Sequence, residues 1–110
     1  MRGYRLSSQA EQRLEEIIGW TIDHFGIDQA TKYKDRLIGR LSSLAADEFP
    51  HGRPCNILIS GKRNVSDMEY YREGRHYIIY HNAAAGLYVL DFVHSSRDLE
   101  SIIQDLSESN

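Results

Sequence analysis

The stretch YYREGRHYIIYHNAAAGLYVLDFVH, which runs from Tyr70 to His94, decides the fold. Aromatic and β-branched residues dominate it, and these residue types suit the half-buried surface of a pleated sheet. Gly74 can supply the positive φ of a tight turn after the first run. The loop 82–86 ends in Gly86, a residue that a hairpin bulge favours. The stretch therefore predicts three antiparallel strands in a meander.

The residues before this stretch predict two amphipathic helices. Ser8 with Glu11 forms a capping-box signal for the first helix, and Gly26 supplies its C-terminal stop. Asp28 is the expected cap of the second helix, which we predict over residues 29–46. Apolar residues recur every three or four positions along both helices and give each one buried stripe. We expect an antiparallel helical hairpin.

Shorter elements complete the predicted order. Residues 4–6 form a short strand, residues 47–54 a loop, and residues 56–59 a further edge strand candidate. Ser95 with Asp98 predicts the cap of a short C-terminal helix. The order β-α-α-β-β-β-α predicts an α+β fold with an antiparallel sheet of four or five strands. The helical hairpin covers one face of this sheet, and the other face is expected to be open to partners.

The predicted core combines the helical stripes with the inward positions of the strands. Truncation of a large core side chain in a domain of this size is costly. The core positions we predict are Leu14, Ile17, Ile18, Phe25, Leu37, Leu41, Leu44, Ile79, Leu90 and Phe92.

Length and composition predict a single domain over residues 1–110. The 41% hydrophobic and 26% charged content is ordinary for a soluble globular protein. No apolar run approaches the roughly 20 residues of a membrane helix, and no secretory signal is visible. The single cysteine, Cys55, cannot form an internal disulfide, which fits a reducing compartment. We expect a cytoplasmic protein without membrane association.

The charge is unevenly distributed. The net charge of −3 argues against a general attraction to nucleic acid. Residues 51–81 nevertheless carry a surplus of two positive charges, whereas residues 82–110 carry a surplus of four negative charges. This pattern is compatible with a polyanion on one face, and a solvated surface with chance clustering is the simpler interpretation.

The chemistry-bearing residues match no metal, cofactor or nucleophile motif. The five histidines lack metal-ligand spacing, and no phosphate loop, dinucleotide fingerprint or nucleophile elbow occurs. No cofactor or metal is therefore expected. The polar residues of the sheet region could hold a phosphate or move a proton in RNA cleavage. For any one residue, a core aromatic or a solvated charge is the simpler interpretation. This set is Arg72, Arg75, His76, Tyr77, Tyr80, His81, His94 and Arg97.

Trp20 lies off the apolar stripe of the first helix, beside Glu16 and Asp23. It either packs under the terminal segment or is exposed for a partner. Its polar neighbours favour the partner interpretation, and so does the enrichment of large aromatic residues among interface hot spots.

The pattern of the whole chain is carried by the segments Tyr4-Arg5-Leu6-Ser7, Leu14-Glu15-Glu16-Ile17, Trp20-Thr21, Phe25-Gly26, Gln29-Ala30, Tyr33, Gly74-Arg75-His76-Tyr77-Ile78-Ile79-Tyr80 and Val93-His94-Ser95-Ser96-Arg97-Asp98. In this order and spacing, and at this chain length, they resemble the ParE branch of the ParE/RelE toxin superfamily. Fold analogy alone does not decide function.

The resemblance implies a non-catalytic toxin of a type II toxin–antitoxin system. ParE-like toxins act on DNA gyrase and trap it with cleaved DNA, and such systems serve plasmid stabilisation. A ParD-like antitoxin would lay an amphipathic helix on the hairpin and an extended arm along the sheet. The residues that position suggests for antitoxin or target contact are Trp20, Tyr33, Lys62, Arg63, Arg75, His76, Tyr77, His94 and Arg97.

Two alternatives stay open. RelE-like members are ribosome-dependent mRNA endonucleases, and if this chain is an enzyme that is its expected activity. However, Tyr77 stands where such members often carry a central-strand arginine, so a phosphate clamp is missing. The third possibility is a non-toxic interaction module that keeps the fold. Two departures from the ParE pattern are Asp91, which replaces a frequent arginine, and a long loop over residues 59–67 that carries Lys62 and Arg63.

Overall fold

The computed structural model describes residues 2–55 and 67–108, and it confirms the α+β class. Within these ranges, none of the helices has the length and hydrophobicity of a membrane-spanning segment. Five strands form one sheet in the order β1-β5-β4-β3-β2. The elements in chain order are β1 (Gly3–Leu6), α1 (Ser8–Phe25), α2 (Ile27–Ala45), β2 (Arg53–Pro54), β3 (Met68–Glu73), β4 (His76–Ala83), β5 (Gly86–His94) and α3 (Leu99–Glu108).

The meander of β3, β4 and β5 is antiparallel as predicted, but the sheet as a whole is mixed because β1 runs parallel to β5. Gly86 pairs with Gly3 in this parallel register. A Cβ on Gly86 would lie 2.5 Å from the Gly3 carbonyl oxygen, and its φ is +145°. The glycine is thus needed for the close approach of β1. The predicted hairpin bulge at this position is wrong, since Gly86 pairs directly with Ala83.

Strand β2 lies inside a segment that we predicted to be loop. Arg53 pairs with Tyr70 and Pro54 pairs with Glu69, at the edge of the sheet. Proline is tolerated at a sheet edge because its missing N–H can face away from the ladder. The edge strand predicted at residues 56–59 lies outside the described residues.

The hydroxyl of Ser7 caps α1, one residue earlier than the predicted capping box at Ser8. It accepts a hydrogen bond from the Ala10 backbone N–H at 3.0 Å and donates to the Leu90 carbonyl at 2.9 Å. The cap therefore also ties the start of α1 to strand β5. Gly26 ends the helix as predicted, and its N–H donates to the Ile22 carbonyl.

The other two predicted caps are corrected by the structure. Helix α2 begins at Ile27, directly after Gly26, without a side-chain cap, so Asp28 lies in the first turn. There its carboxylate interacts favourably with the positive end of the helix dipole. At α3, Asp98 accepts hydrogen bonds from the backbone N–H and hydroxyl of Ser101. Ser95 takes no part in that cap and instead donates its N–H to the Arg75 carbonyl.

The helical hairpin packs on one face of the sheet and forms the main core. The predicted positions Leu14, Ile17, Leu37, Leu41, Leu44 and Phe92 are all buried there, with sheet residues Ile78, Tyr80, Leu87 and Val89.

The opposite face of the sheet is partly covered, contrary to the expectation of an open face. A second cluster contains Cys55, Met68, Ile79, Leu90, Val93 and Ile103, and α3 packs against it through Leu99, Ile102 and Leu106. The amphipathic α3 needs a surface against which to bury its apolar stripe.

Burial in this second cluster raises the pKa of the Cys55 thiol to about 12, which keeps the thiol protonated at neutral pH.

Two predicted core residues are less buried than expected. Phe25 is 55% exposed, and Ile18 is only partly buried against the main core. Phe25 is the last residue of α1 and lies beyond the packed core. Helical periodicity identifies the stripe but does not show where the supporting sheet ends.

Because of a β-bulge at Leu90, strand β5 contributes side chains to both cores. Ile79 pairs with Asp91 whereas Tyr80 pairs with Val89, so Leu90 is an extra residue. A bulge changes which side chains share a face. Val89 contributes to the main core before the bulge, and Phe92, three residues later, contributes to the same core after it.

We expect Leu41→Ala to lower the free energy of unfolding by about 2–5 kcal/mol, because Leu41 is fully buried beneath the hairpin. Urea denaturation followed by circular dichroism measures the change. Ile27→Ala, at a 66% exposed position of the same helix, is the control and is expected to cost far less. An unchanged midpoint for Leu41→Ala would show that the buried stripe of α2 is wrongly assigned.

Candidate functional site

A cleft of about 420 Å³ lies where the end of α1, the start of α2, the β3–β4 turn and the end of β5 meet. This volume is in the range of ligand-binding clefts. Its lining is Ile17, Trp20, Thr21, Phe25, Gln29, Tyr33, Arg36, Gly74, Arg75, His76 and His94.

The Tyr33 hydroxyl joins α2 to the β3–β4 turn. It lies 3.1 Å from the Glu73 carbonyl oxygen, 3.1 Å from the Arg75 backbone nitrogen and 2.6 Å from His76 Nδ1. One arrangement of protons satisfies all three contacts. In it, the hydroxyl donates to Glu73 and accepts from Arg75 and from a protonated Nδ1 of a neutral His76. Burial raises the pKa of Tyr33, so the hydroxyl keeps its proton at neutral pH.

Gly74 allows this close contact between the turn and Tyr33. Its φ is +61°, and a Cβ at this position would lie 2.7 Å from Cε1 of the Tyr33 ring. Both the backbone conformation and the space therefore require glycine.

His76 and His94 stand opposite each other on neighbouring strands, and their ring centroids lie 5.4 Å apart in an edge-on arrangement. Burial, followed by the nearby His94 and Arg75, lowers the pKa of His76 to about 4. His76 is thus neutral at pH 7. The Nδ1 of His94 accepts hydrogen bonds from the N–H and hydroxyl of Ser96.

Arg75 adds to the cleft a positive charge that is not held in an ion pair. Arg36 and Arg40 both bind the Glu73 carboxylate, at 2.9 and 2.7 Å, so two guanidinium groups share one largely buried acid. Among the residues that the structure describes, no carboxylate pairs with the guanidinium of Arg75. The turn thus presents one exposed, uncompensated cation.

Trp20 and Phe25 form the aromatic side of the cleft. Trp20 is 51% exposed, and its ring stacks on that of His24 with centroids 4.0 Å apart. Phe25 lies 5.8 Å from Trp20 in a tilted arrangement. The structure therefore shows Trp20 exposed, as the partner interpretation expected.

The structure brings five of the nine predicted contact residues to this cleft. They are Trp20, Tyr33, Arg75, His76 and His94.

The other four predicted contact residues are not in this cleft. Tyr77 follows His76 in β4 and points to the opposite face, where it contacts Tyr70 edge-on. Arg97 lines a neighbouring cavity of about 270 Å³ between α1, β5 and α3, on the far side of the histidine pair. Lys62 and Arg63 lie outside the described residues.

Sequence reasoning missed Phe25, Gln29 and Arg36 as cleft residues. Phe25 was placed in the core because it continues the apolar stripe of α1. Gln29 and Arg36 carry no motif, and only their proximity to the Gly26 turn and to Tyr33 could have suggested them.

Asp91, the residue that departs from the ParE pattern, is buried and binds α1. Its carboxylate accepts hydrogen bonds from Gln9 Nε2 at 2.8 Å, Arg13 Nε at 3.3 Å and the Phe92 backbone N–H at 2.8 Å. Its negative charge therefore helps to hold α1 against β5 inside the fold.

Among the described residues, no group of three or more histidine, cysteine or acidic side chains could hold a metal ion.

Comparison with known proteins places these features in a family. The family model of the ParE toxin of the type II toxin–antitoxin system parDE matches residues 4–99. Toxin ParE1 of Mycobacterium tuberculosis, from strains CDC 1551 and H37Rv, is 32% identical over 98 residues, covering 88% of this chain and 93% of the relative. A solved structure described as the chromosomal ParDE TA system from P. aeruginosa has a TM-score of 0.63 at 14% identity. That match covers 86% of this chain and 96% of the other.

We expect Gly74→Ala to destabilise the fold by about 1–3 kcal/mol from backbone strain, with a further cost from displacing Tyr33. Thermal or urea denaturation measures the loss. Gly39→Ala is the matched control, because Gly39 lies within α2 with nothing near its would-be Cβ. There alanine should stabilise the helix by up to about 1 kcal/mol. Equal effects of the two substitutions would contradict the assigned role of the turn.

We expect His76 to make the fold less stable as the pH falls from 6.5 to 4. In the unfolded chain the imidazole titrates near 6.5, whereas in the folded chain its pKa is about 4, so only the unfolded state gains a proton in this window. Urea midpoints measured across the window should fall less steeply for His76→Gln than for the wild type. His51→Gln removes an exposed histidine outside the cleft and is the control. Identical slopes for all three proteins would refute the buried, neutral state of His76.

Proposed function

Since this chain belongs to the ParE toxin family of type II toxin–antitoxin systems, we propose that it inhibits DNA gyrase by trapping the enzyme's complex with cleaved DNA. A ParD-like antitoxin neutralises it in this proposal. The toxin acts as a single domain in the cytoplasm, and its pairing with the antitoxin serves plasmid stabilisation. The family match across residues 4–99 is the observation that carries the proposal.

An exposed apolar surface supports action by binding. Trp20, Ile22, Phe25 and Ile27 are all exposed around the connection between α1 and α2. Exposed clusters of large apolar side chains are a feature of protein interaction sites. A gyrase poison without catalytic residues depends on such surface complementarity.

The position of Tyr77 also supports binding over nuclease chemistry. This residue occupies the place of the central-strand arginine of RelE-like nucleases, and its ring contacts Tyr70 on the sheet face away from the cleft. A phenol ring packed in this way supplies neither a phosphate clamp nor a positive charge for a transition state.

An mRNA endonuclease is the second candidate, and one observation favours it. Tyr33, Arg75, His76 and His94 line one cleft, and these are the kinds of group that cleave RNA at the 2′-OH. The pKa of about 4 keeps His76 unprotonated at neutral pH, so it could act there as a weak base but not as an acid.

A gyrase cleavage assay tests the proposal. With purified gyrase, supercoiled plasmid and ATP, we expect the protein to cause accumulation of linear DNA covalently linked to gyrase. Trp20→Ala should raise the half-maximal concentration by about tenfold or more, the usual effect of losing an aromatic hot spot. Lys34→Ala changes an exposed residue of α2 outside the cleft and is the matched control.

A parallel measurement separates the two candidates. Translating ribosomes carrying a defined mRNA are incubated with the same protein preparations, and the mRNA ends are mapped. Cut mRNA without trapped gyrase, with the cutting lost in His94→Ala, would replace the first candidate by the second. If neither reaction occurs at saturating protein, both candidates fail and a non-toxic interaction module remains.

A further inference from the structure

The cleft defined above has the size and the lining of a small-molecule site. Its volume of about 420 Å³ lies toward the lower end of the range of ligand pockets, which combine apolar walls with a few polar groups. Ile17 lines the cleft and is also a buried residue of the main core, so the cleft reaches down to that core. A concave site of this size can enclose most of the surface of a small ligand.

The apolar wall of the cleft is aromatic and partly fixed in place. Trp20 stacks on His24 with ring centroids 4.0 Å apart, and Phe25 lies 5.8 Å from Trp20 in a tilted arrangement. Roughly half of each of these two rings stays exposed after the contacts are made. Aromatic rings pair preferentially with other rings in offset or edge-on arrangements. The wall therefore favours a planar aromatic ligand over an aliphatic one.

The polar side of the cleft is positively charged, in a chain whose net charge is −3. None of the described residues that line the cleft is acidic. Arg36 uses its Nη2 to bind Glu73, which leaves its other N–H groups for a ligand. The guanidinium of Arg75 pairs with no carboxylate in the part of the chain that the structure describes. Both arginines can therefore donate charge-assisted hydrogen bonds to an anion in the cleft.

His94 adds a further donor to this side of the cleft, and the turn that carries Arg75 is held in place. The Nδ1 of His94 accepts from the Ser96 N–H at 3.1 Å, so the ring proton lies on Nε2. The N–H of Arg75 donates to the Tyr33 hydroxyl at 3.1 Å, and its carbonyl accepts from the Ser95 N–H at 2.8 Å. Donors on a fixed frame lose less conformational entropy when they bind a ligand.

We propose that this cleft binds a small planar aromatic carboxylate. The ring of the ligand packs against Trp20 and Phe25, and its carboxylate accepts hydrogen bonds from the guanidinium of Arg75. The two oxygens of a carboxylate match the paired N–H groups of an arginine. This binding does not depend on the proposed function. Only its consequence rests on that function, namely that a ligand on Trp20 blocks the contact this residue is proposed to make with gyrase.

Other anions match the cleft less well. An aliphatic carboxylate would reach the same guanidinium groups but has no ring to place against Trp20. Single-stranded nucleic acid follows a run of phosphate contacts along a basic groove. Among the described residues that line the cleft, Arg36 and Arg75 are the only lysine or arginine side chains. A phosphate ester of the same ring is the nearest alternative, because it differs from the carboxylate only in its anionic group.

Protein-observed NMR with four small probes tests the proposal. The sequence contains one tryptophan, so the indole N–H of Trp20 gives a single cross-peak that reports on the cleft. Naphthalene-2-carboxylate, its uncharged amide, 2-naphthyl phosphate and cyclohexanecarboxylate are each titrated into the whole folded chain. We expect naphthalene-2-carboxylate to shift the Trp20 peak saturably, with a Kd of about 1 mM or below. The amide and the cyclohexane acid should each bind about tenfold more weakly or worse.

Two substitutions test the two halves of the contact. Arg75→Gln should weaken the binding of naphthalene-2-carboxylate about tenfold or more and leave the binding of the amide nearly unchanged. Phe25→Ala should weaken the binding of both the acid and the amide about threefold or more. The matched controls are Arg5→Gln and Phe49→Ala, exposed residues outside the cleft, which should leave each Kd within about twofold. Circular dichroism checks that each variant is folded.

Several results would overturn the inference. One is a Trp20 peak that does not shift at probe concentrations about ten times the expected Kd. Others are equal affinities for the acid and the amide, and an unchanged affinity in Arg75→Gln. Tighter binding of 2-naphthyl phosphate than of the carboxylate would assign the cleft to phosphate esters. A Trp20 peak that moves when the protein alone is diluted would assign the cleft to a second copy of this chain.

The gyrase assay, run with and without saturating naphthalene-2-carboxylate, separates this inference from the proposed function. Cyclohexanecarboxylate at the same concentration controls for effects of the acid on gyrase itself. Binding by NMR without any gyrase trapping would leave the ligand site intact and remove the gyrase target. Gyrase trapping without binding by NMR would remove the ligand site and leave the gyrase target intact. Trapping that the bound ligand does not reduce would overturn the predicted block of Trp20.

Discussion

The hydroxyl of Ser7 and the bulge at Leu90 form the junction on which the rest of the structure depends. The hydroxyl caps α1 through the Ala10 N–H and also donates to the carbonyl of the bulged Leu90. Asp91, the next residue, binds Gln9 and Arg13 of the same helix. The first helix is therefore fixed to the central part of β5 by polar contacts at both bulge residues, and both cores are built around that strand.

The bulge has a consequence for the cleft as well as for the cores. Without the extra residue, strict alternation would put Val89 and His94 on opposite faces of the sheet. With it, His94 lies opposite His76 on the face that carries the helical hairpin. Tyr33 then binds His76 and the β3–β4 turn together. The cleft is thus a product of strand register and of one tyrosine that reaches from α2 to the sheet.

Charge pairing gives this cleft its character. Glu73 binds both Arg36 and Arg40, and the burial of His76 keeps that ring neutral. What reaches the surface is an apolar lining with two guanidinium groups, that of Arg36, which is held by Glu73, and that of Arg75. Aromatic side chains and arginine are both enriched in protein interaction sites. This composition agrees with a toxin family whose members are paired with an antitoxin.

The sequence by itself determined the helical hairpin, the three-stranded meander, the glycine turn at Gly74 and the exposure of Trp20, because each depends on residue types within a short window. It could not determine the bulge at Leu90, the parallel pairing of β1, the cover that α3 provides or the partners of Asp91. Each of these depends on which distant segments meet. Alternation and helical periodicity describe one element at a time, whereas a register shift or an ion pair between a strand and a helix is a property of two elements. Only the tertiary structure decided that Tyr33, Arg75 and the two histidines share one cleft with Trp20.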